Sequence, residues 1–182
     1  MFMKLDINTL CLLIFTDTLF ANNKDLSSQI GYILILKDAL HKANIIHWLL
    51  IKCKRVIRSI LASELYAMAY RFNIGITIKS TVEQLLQIKL PLVFYTDLKS
   101  LYECLVKLGT TQEKCFIIDI MCLCQSYECR KITKVKWIDG DSNPADLMTK
   151  SKASTALKKL INTNYLELQA MEWVKQTNLD LA

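Results

Sequence analysis

Residues 10–52 read LCLLIFTDTLFANNKDLSSQIGYILILKDALHKANIIHWLLIK. Three apolar runs lie in this stretch: Leu10 to Thr16, closed by Asp17; Ile30 to Lys37; and Ala43 to Lys52. The second and third are rich in β-branched and aromatic residues. Short polar connections separate the runs, Asn22-Asn23-Lys24-Asp25 in the first gap and Asp38 to Lys42 in the second. Runs of this length between polar turns predict three strands in an antiparallel meander.

Downstream the period changes. From Arg58 to about Ser80 the apolar residues Ile60, Leu61, Leu65, Met68, Ala69 and Phe72 follow helical spacing. Gly75 is expected to bend or interrupt this helix. TVEQLLQI (81–88) reads as a second helix ending before Pro91, and PLVFYTD (91–97) as a buried strand closed by Asp97. LKSLYECLVKL (98–108) and EKCFIIDIMCLCQSYE (113–128) read as helices, and ITKVKWID (132–139) as an alternating strand. Ser142 or Asn143 is expected to cap a helix with Pro144 at its first position. The remainder, from Ser151, reads as amphipathic helix. Hairpin-linked strands followed by strands reached through helices predict an α/β mixed sheet with helices on its faces.

The 182 residues suit one domain, and 52% hydrophobic with 22% charged residues argues for a folded chain. Four glycines form neither a dinucleotide-binding nor a P-loop motif. A net charge of +6 permits a polyanionic partner without requiring one. The cysteines are odd in number: Cys11, Cys53, Cys104, Cys115, Cys122, Cys124 and Cys129. Several sit in apolar runs, which favours free thiols in a reducing compartment over a disulfide framework. Cys122, Cys124 and Cys129 lack zinc-ligand spacing and a neighbouring His. Apolar runs fall short of the roughly 18 residues a spanning helix needs, so no membrane association is expected.

Several acids stand in apolar surroundings. Asp17 and Asp97 each close a predicted strand, where an Asp also serves as a turn starter. Glu64 falls on the apolar stripe of its helix, with Ile60, Leu61, Ala67 and Met68 at i−4, i−3, i+3 and i+4. It either snorkels, pairs with a cation, or faces a site. Asp146 follows Asn143 by three residues, where a capping acid is also favoured. Asp119 is a further acid among apolar residues, while Asp139 and Asp141 flank Gly140 in a polar loop. Carboxylates that converge repel one another, and hard divalent cations such as Mg²⁺ or Mn²⁺ relieve that repulsion.

Four segments carry these acids: FTDTLFANNKDLSSQIGYIL (15–34), CKRVIRSILASELYA (53–67), FYTDLKSLYE (94–103) and VKWIDGDSNPADLMTK (135–150). Together they resemble the ribonuclease H domain of Ty1/copia-type retrotransposon polyproteins. The resemblance rests on Asp17, Gly31-Tyr32, Ser63-Glu64-Leu65-Tyr66, Thr96-Asp97, Asn143-Pro144-Ala145-Asp146 and Thr149-Lys150, in family order. It implies a ribonuclease H-like domain over residues 10–150, a five-stranded mixed sheet of order 3-2-1-4-5, and a C-terminal helical extension over 151–182. It also implies hydrolysis of the RNA strand of RNA–DNA hybrids by two Mg²⁺ or Mn²⁺ ions. By that likeness Asp17 bridges both ions and Asp97 holds the one that activates water. Glu64 ligates the second beside the substrate 2′-hydroxyl, and Asp146 completes the set.

In the family this domain follows a reverse transcriptase, so the chain is expected to be a piece of a polyprotein. Its expected setting is intracellular: cytoplasm, nucleus, or the virus-like particle of an active element. One departure stands out. The loop where many ribonucleases H carry a His is Gly140-Asp141-Ser142 here. The alternative is therefore a weak or inactive nucleic-acid-binding or scaffold module of the same fold. An integrase core of the same superfamily fits the last motif less well.

For substrate contact the sequence offers Lys52, Lys54, Arg55 and Arg58 entering the Glu64 helix, with Asn22 and Ser63 as polar groups for the 2′-hydroxyl or minor groove. Arg130, Lys131, Lys134 and Lys136 form a second basic group. Trp48, Trp137 and Trp173 are expected in the core or at its edge.

Overall fold

The computed structural model describes residues 2–20, 27–53, 57, 59–106, 117–150, 155–168 and 172–173. The three predicted strands form as β1 (Cys11–Leu19), β2 (Gln29–Lys37) and β3 (Ala43–Lys52). Helix α1 (Ile60–Leu86) follows, then β4 (Leu92–Thr96), α2 (Lys99–Val106), α3 (Ile117–Glu128) and β5 (Lys134–Trp137). The chain continues through α4 (Asp146–Thr149), α5 (Thr155–Thr163) and β6 (Glu172–Trp173).

The sheet order is β3-β2-β1-β4-β5, as expected, with the two-residue β6 added beyond β5. β1 pairs antiparallel with β2 and parallel with β4, and β4 pairs parallel with β5. A central strand covered on both faces must be apolar at every position, and Leu12, Leu13, Ile14 and Phe15 are all buried. Even-numbered β1 residues Leu12 and Ile14 join Leu65 and Met68 of α1, Leu101 of α2 and Leu123 of α3 in one core. Odd-numbered Leu13 and Phe15 join Tyr95, Ile138 and the α5 residues Leu157 and Leu160 in a second core on the other face. Phe15 stacks on Tyr95 with centroids 4.7 Å apart, tying β1 to β4.

Several local expectations are corrected. The two helices predicted between Arg58 and Ile88 are one helix, capped by the Ser59 side chain on the Ala62 N–H and ended by Gln87 in a left-handed conformation. Gly75 does not interrupt it. Glycine is needed there because α1 approaches β1 closely: a Cβ would lie 2.2 Å from Ile14 Cδ1. The C-terminal stretch is not helical throughout, since after α5 Tyr165 bridges to Lys42 and β6 joins the sheet. Trp48 is 61% exposed on the edge strand β3 rather than packed. Arg71, which carries no sequence signal, is fully buried, its guanidinium stacked over the rings of Tyr32 (4.2 Å) and Tyr70 (4.6 Å). Among the described residues no helix is long and apolar enough to cross a membrane. The described cysteines Cys11, Cys53, Cys104, Cys122, Cys124 and Cys129 are free thiols.

Candidate metal centre

Strand register brings the first two acids together. β1 and β4 run parallel with Phe15 beside Tyr95. Continuing that offset sets Asp97, just past the end of β4, level with Asp17. Asp17 does not close its strand as the sequence suggested. It lies inside β1, because pairing to β2 continues through Thr18 and Leu19. Its cross-strand partner is Gly31. A Cβ at Gly31 would fall 2.8 Å from Met148 Cβ and 3.0 Å from Thr149 Cγ2. Glycine there lets α4 settle directly over β2, next to Asp17.

Asn143 anchors the segment entering α4. It is fully buried, donates from Nδ2 to the Thr16 carbonyl (3.0 Å) and accepts the Ala145 N–H at Oδ1 (3.0 Å). Neither Ser142 nor Asn143 caps the helix as expected. The N-cap of α4 is Ala145, without a side-chain bond, and Asp146 is the first helical residue. Asn143 instead ties the loop to β1, a positioning role for which the Asn-Pro pair was the only sequence cue. At the far end of α4 the Thr149 hydroxyl donates to Asp17 Oδ2, and Lys150 Nζ pairs with Asp146 Oδ1. Trp137 Nε1 donates to the Asp97 carbonyl (2.9 Å), holding the β4 terminus.

Asp17, Asp97 and Asp146 converge, each offering a carboxylate oxygen within 4.8 Å of the others. Glu64 lies against this group from α1. It is 3% exposed, and its Oε1 accepts from the Thr18 N–H (2.9 Å) and hydroxyl (2.8 Å). Its Oε2 is buried without a hydrogen-bond partner. Burial pushes the Glu64 carboxyl up to about 8, with the Asp97 and Asp17 charges acting the same way. Burial likewise raises Asp17 to about 6, opposed by its bond from Thr149 and assisted by Asp97. Asp97 is also raised, chiefly by burial, with Lys150 opposing. Asp119 lies on α3 outside the group, and Asp139 and Asp141 are exposed.

The donor set suits a hard divalent cation. It is all carboxylate oxygen and lacks the thiolate and imidazole that select zinc; Glu64, which is not one of the three converging acids, keeps a buried oxygen, Oε2, unpartnered. A cation held by Asp17, Asp97 and Asp146 would relieve the mutual repulsion of these acids.

No protein-family model matches the chain, and no curated protein does. Solved structures do match. LC11 ribonuclease H1, isolated from compost, is 14% identical with a TM-score of 0.56, over 81% of this chain and 98% of that one. The structure of the same enzyme in complex with an RNA/DNA hybrid gives 14% identity and a TM-score of 0.56, over 80% and 99%. The N-terminal ribonuclease H domain of a Mycobacterium tuberculosis protein gives 13% and 0.52, over 85% and 98%. The fold is the ribonuclease H fold.

On that fold the residues proposed for substrate contact are less fully placed. Lys52 is exposed at the end of β3. Asn22, Lys54, Arg55 and Arg58 lie outside the described residues. Ser63 is fully buried and its hydroxyl has no hydrogen-bond partner. In the second basic group Arg130, Lys131 and Lys134 are exposed, whereas Lys136 is half-buried over the Tyr95 ring.

Proposed function

We propose that the protein hydrolyses the RNA strand of RNA–DNA hybrids, and that residues 10–150 are the ribonuclease H segment of a Ty1/copia-type polyprotein, with 151–182 as a C-terminal extension. A reverse transcriptase domain is then its covalent neighbour, and it works inside the cell, in cytoplasm, nucleus or a virus-like particle. The observation that carries the activity is the convergence of Asp17, Asp97 and Asp146, with Glu64 beside them, on the ribonuclease H fold. In this assignment Asp17, Glu64, Asp97 and Asp146 hold two Mg²⁺ or Mn²⁺ ions. Such ions, when bound, supply an activated water and stabilise the leaving oxygen in phosphodiester hydrolysis.

The chain's own contribution is placement. Thr18 fixes one oxygen of Glu64 through two hydrogen bonds and leaves the other available. Thr149 orients Asp17, and Trp137 and Asn143 hold the backbone on either side of the site. Preset carboxylates avoid the reorganisation a flexible set would need at the moment of reaction. Glu64 is assigned to the substrate 2′-hydroxyl, the group that separates RNA from DNA. Lys52, with Lys54, Arg55 and Arg58, is assigned to phosphates of the duplex, which makes binding salt-dependent.

The test is cleavage of a labelled RNA–DNA hybrid in Mn²⁺ or Mg²⁺, beside single-stranded RNA and duplex DNA. Cutting of the RNA strand in the hybrid, with the other two intact, is the expected result. A folded protein that leaves the hybrid uncut overturns the reading in favour of an inactive binding module.

A further inference from the structure

We propose that Lys150 is a displaceable counter-ion of the carboxylate cluster, a tethered competitor that a divalent cation must drive out of the site. The inference deepens the metal-centre reading and rests on it. Lys150 follows α4 directly, and its N–H donates to the Asp146 carbonyl (2.9 Å), so its backbone is fixed beside the cluster. Its ammonium sits on Asp146 Oδ1. Through Asp146 the ammonium stands at a cluster whose three acids each offer a carboxylate oxygen within 4.8 Å of the others. Among the described residues no other salt bridge involves these carboxylates.

The arrangement is suited to release. The Lys150 side chain is 44% exposed while that of Asp146 is 14% exposed. The ammonium is a point charge on a flexible stem, and it can leave into water without dragging the backbone. A divalent cation among these acids would draw on the Asp146 carboxylate that the ammonium already occupies, so the two charges compete for it. Apparent metal affinity is then reduced by the fraction of molecules in which the ammonium is seated. Lys150 thus keeps the empty site folded and sets the cation concentration at which it loads.

Calorimetric titration of Mn²⁺ into wild type, Lys150→Gln and Lys150→Arg, with melting temperatures of the metal-free proteins, tests this. Lys150→Gln should bind Mn²⁺ at least threefold more tightly and melt lower without metal. Lys150→Arg, which keeps the charge, should stay near wild type in both. Mn²⁺ binding by wild type with unchanged or weaker affinity in Lys150→Gln overturns the counter-ion role alone. Absence of Mn²⁺ binding by folded wild type overturns the metal-centre reading and this inference with it.

Discussion

Asp17→Asn is expected to lower cleavage of an RNA–DNA hybrid at least about a hundredfold while leaving the protein folded. Asp17 is 2% exposed, lies near the C-terminal end of β1, and shares its carboxylate cluster with Asp97 and Asp146. Asparagine has nearly the same shape and can still accept the Thr149 hydroxyl, so the packing of α4 over Gly31 is kept. What is lost is one negative charge among the oxygens that would hold the cations. Metal ions contribute several kcal/mol of charge stabilisation to such reactions, and about 1.4 kcal/mol is a tenfold change in rate. Rate assays on hybrid substrate beside a thermal melt check both halves. Retention of more than a tenth of wild-type activity would remove Asp17 from the site.

Glu64→Gln has the second large effect, and it is read in stability as well as activity. The Glu64 carboxyl is held near 8 in the folded protein, against 4.5 as its ordinary value. Between those values the folded chain keeps a proton that the unfolded chain releases. Stability from this group is therefore full below about pH 4.5 and declines as pH rises towards 8. Asp17, raised to about 6, and Asp97 act in the same direction. Ionising a carboxyl so buried costs the fold several kcal/mol. Glutamine cannot ionise, and its carbonyl can still accept both Thr18 bonds. Metal-free Glu64→Gln should thus melt several degrees above wild type at pH 8.5 and close to it at pH 5, with cleavage strongly reduced. Equal melting temperatures at both pH values would show that Glu64 is not the strained acid assigned here.

Much of this was legible in the primary structure, for identifiable reasons. The β3 boundaries, Ala43 and Lys52, are legible because an apolar run lies between two polar breaks. Glu64 was legible as unusual because a carboxylate on an apolar helical stripe must find a partner, and the structure buries it against Thr18. The position of Asp17 inside β1 was not, because a strand's end is decided by its pairing with β2 and not by its own composition. Gly75 looked like a helix breaker, whereas its lack of a side chain serves a helix–strand contact that only the tertiary structure defines. Asn143 was legible as a cap and acts instead across 127 residues on the Thr16 carbonyl. Arg71 and the short β6 leave no local trace in the sequence. Convergence of the acids is set by strand register and the seat of α4, neither of which is written in any one segment.

The measurement that bears most directly on this account is Mn²⁺ anomalous scattering from crystals of the metal-free protein soaked in the cation. The account predicts density bounded by carboxylates of Asp17, Asp97 and Asp146, with Lys150 moved off Asp146. Ordered carboxylates without density among them, or Mn²⁺ held only elsewhere, would contradict it.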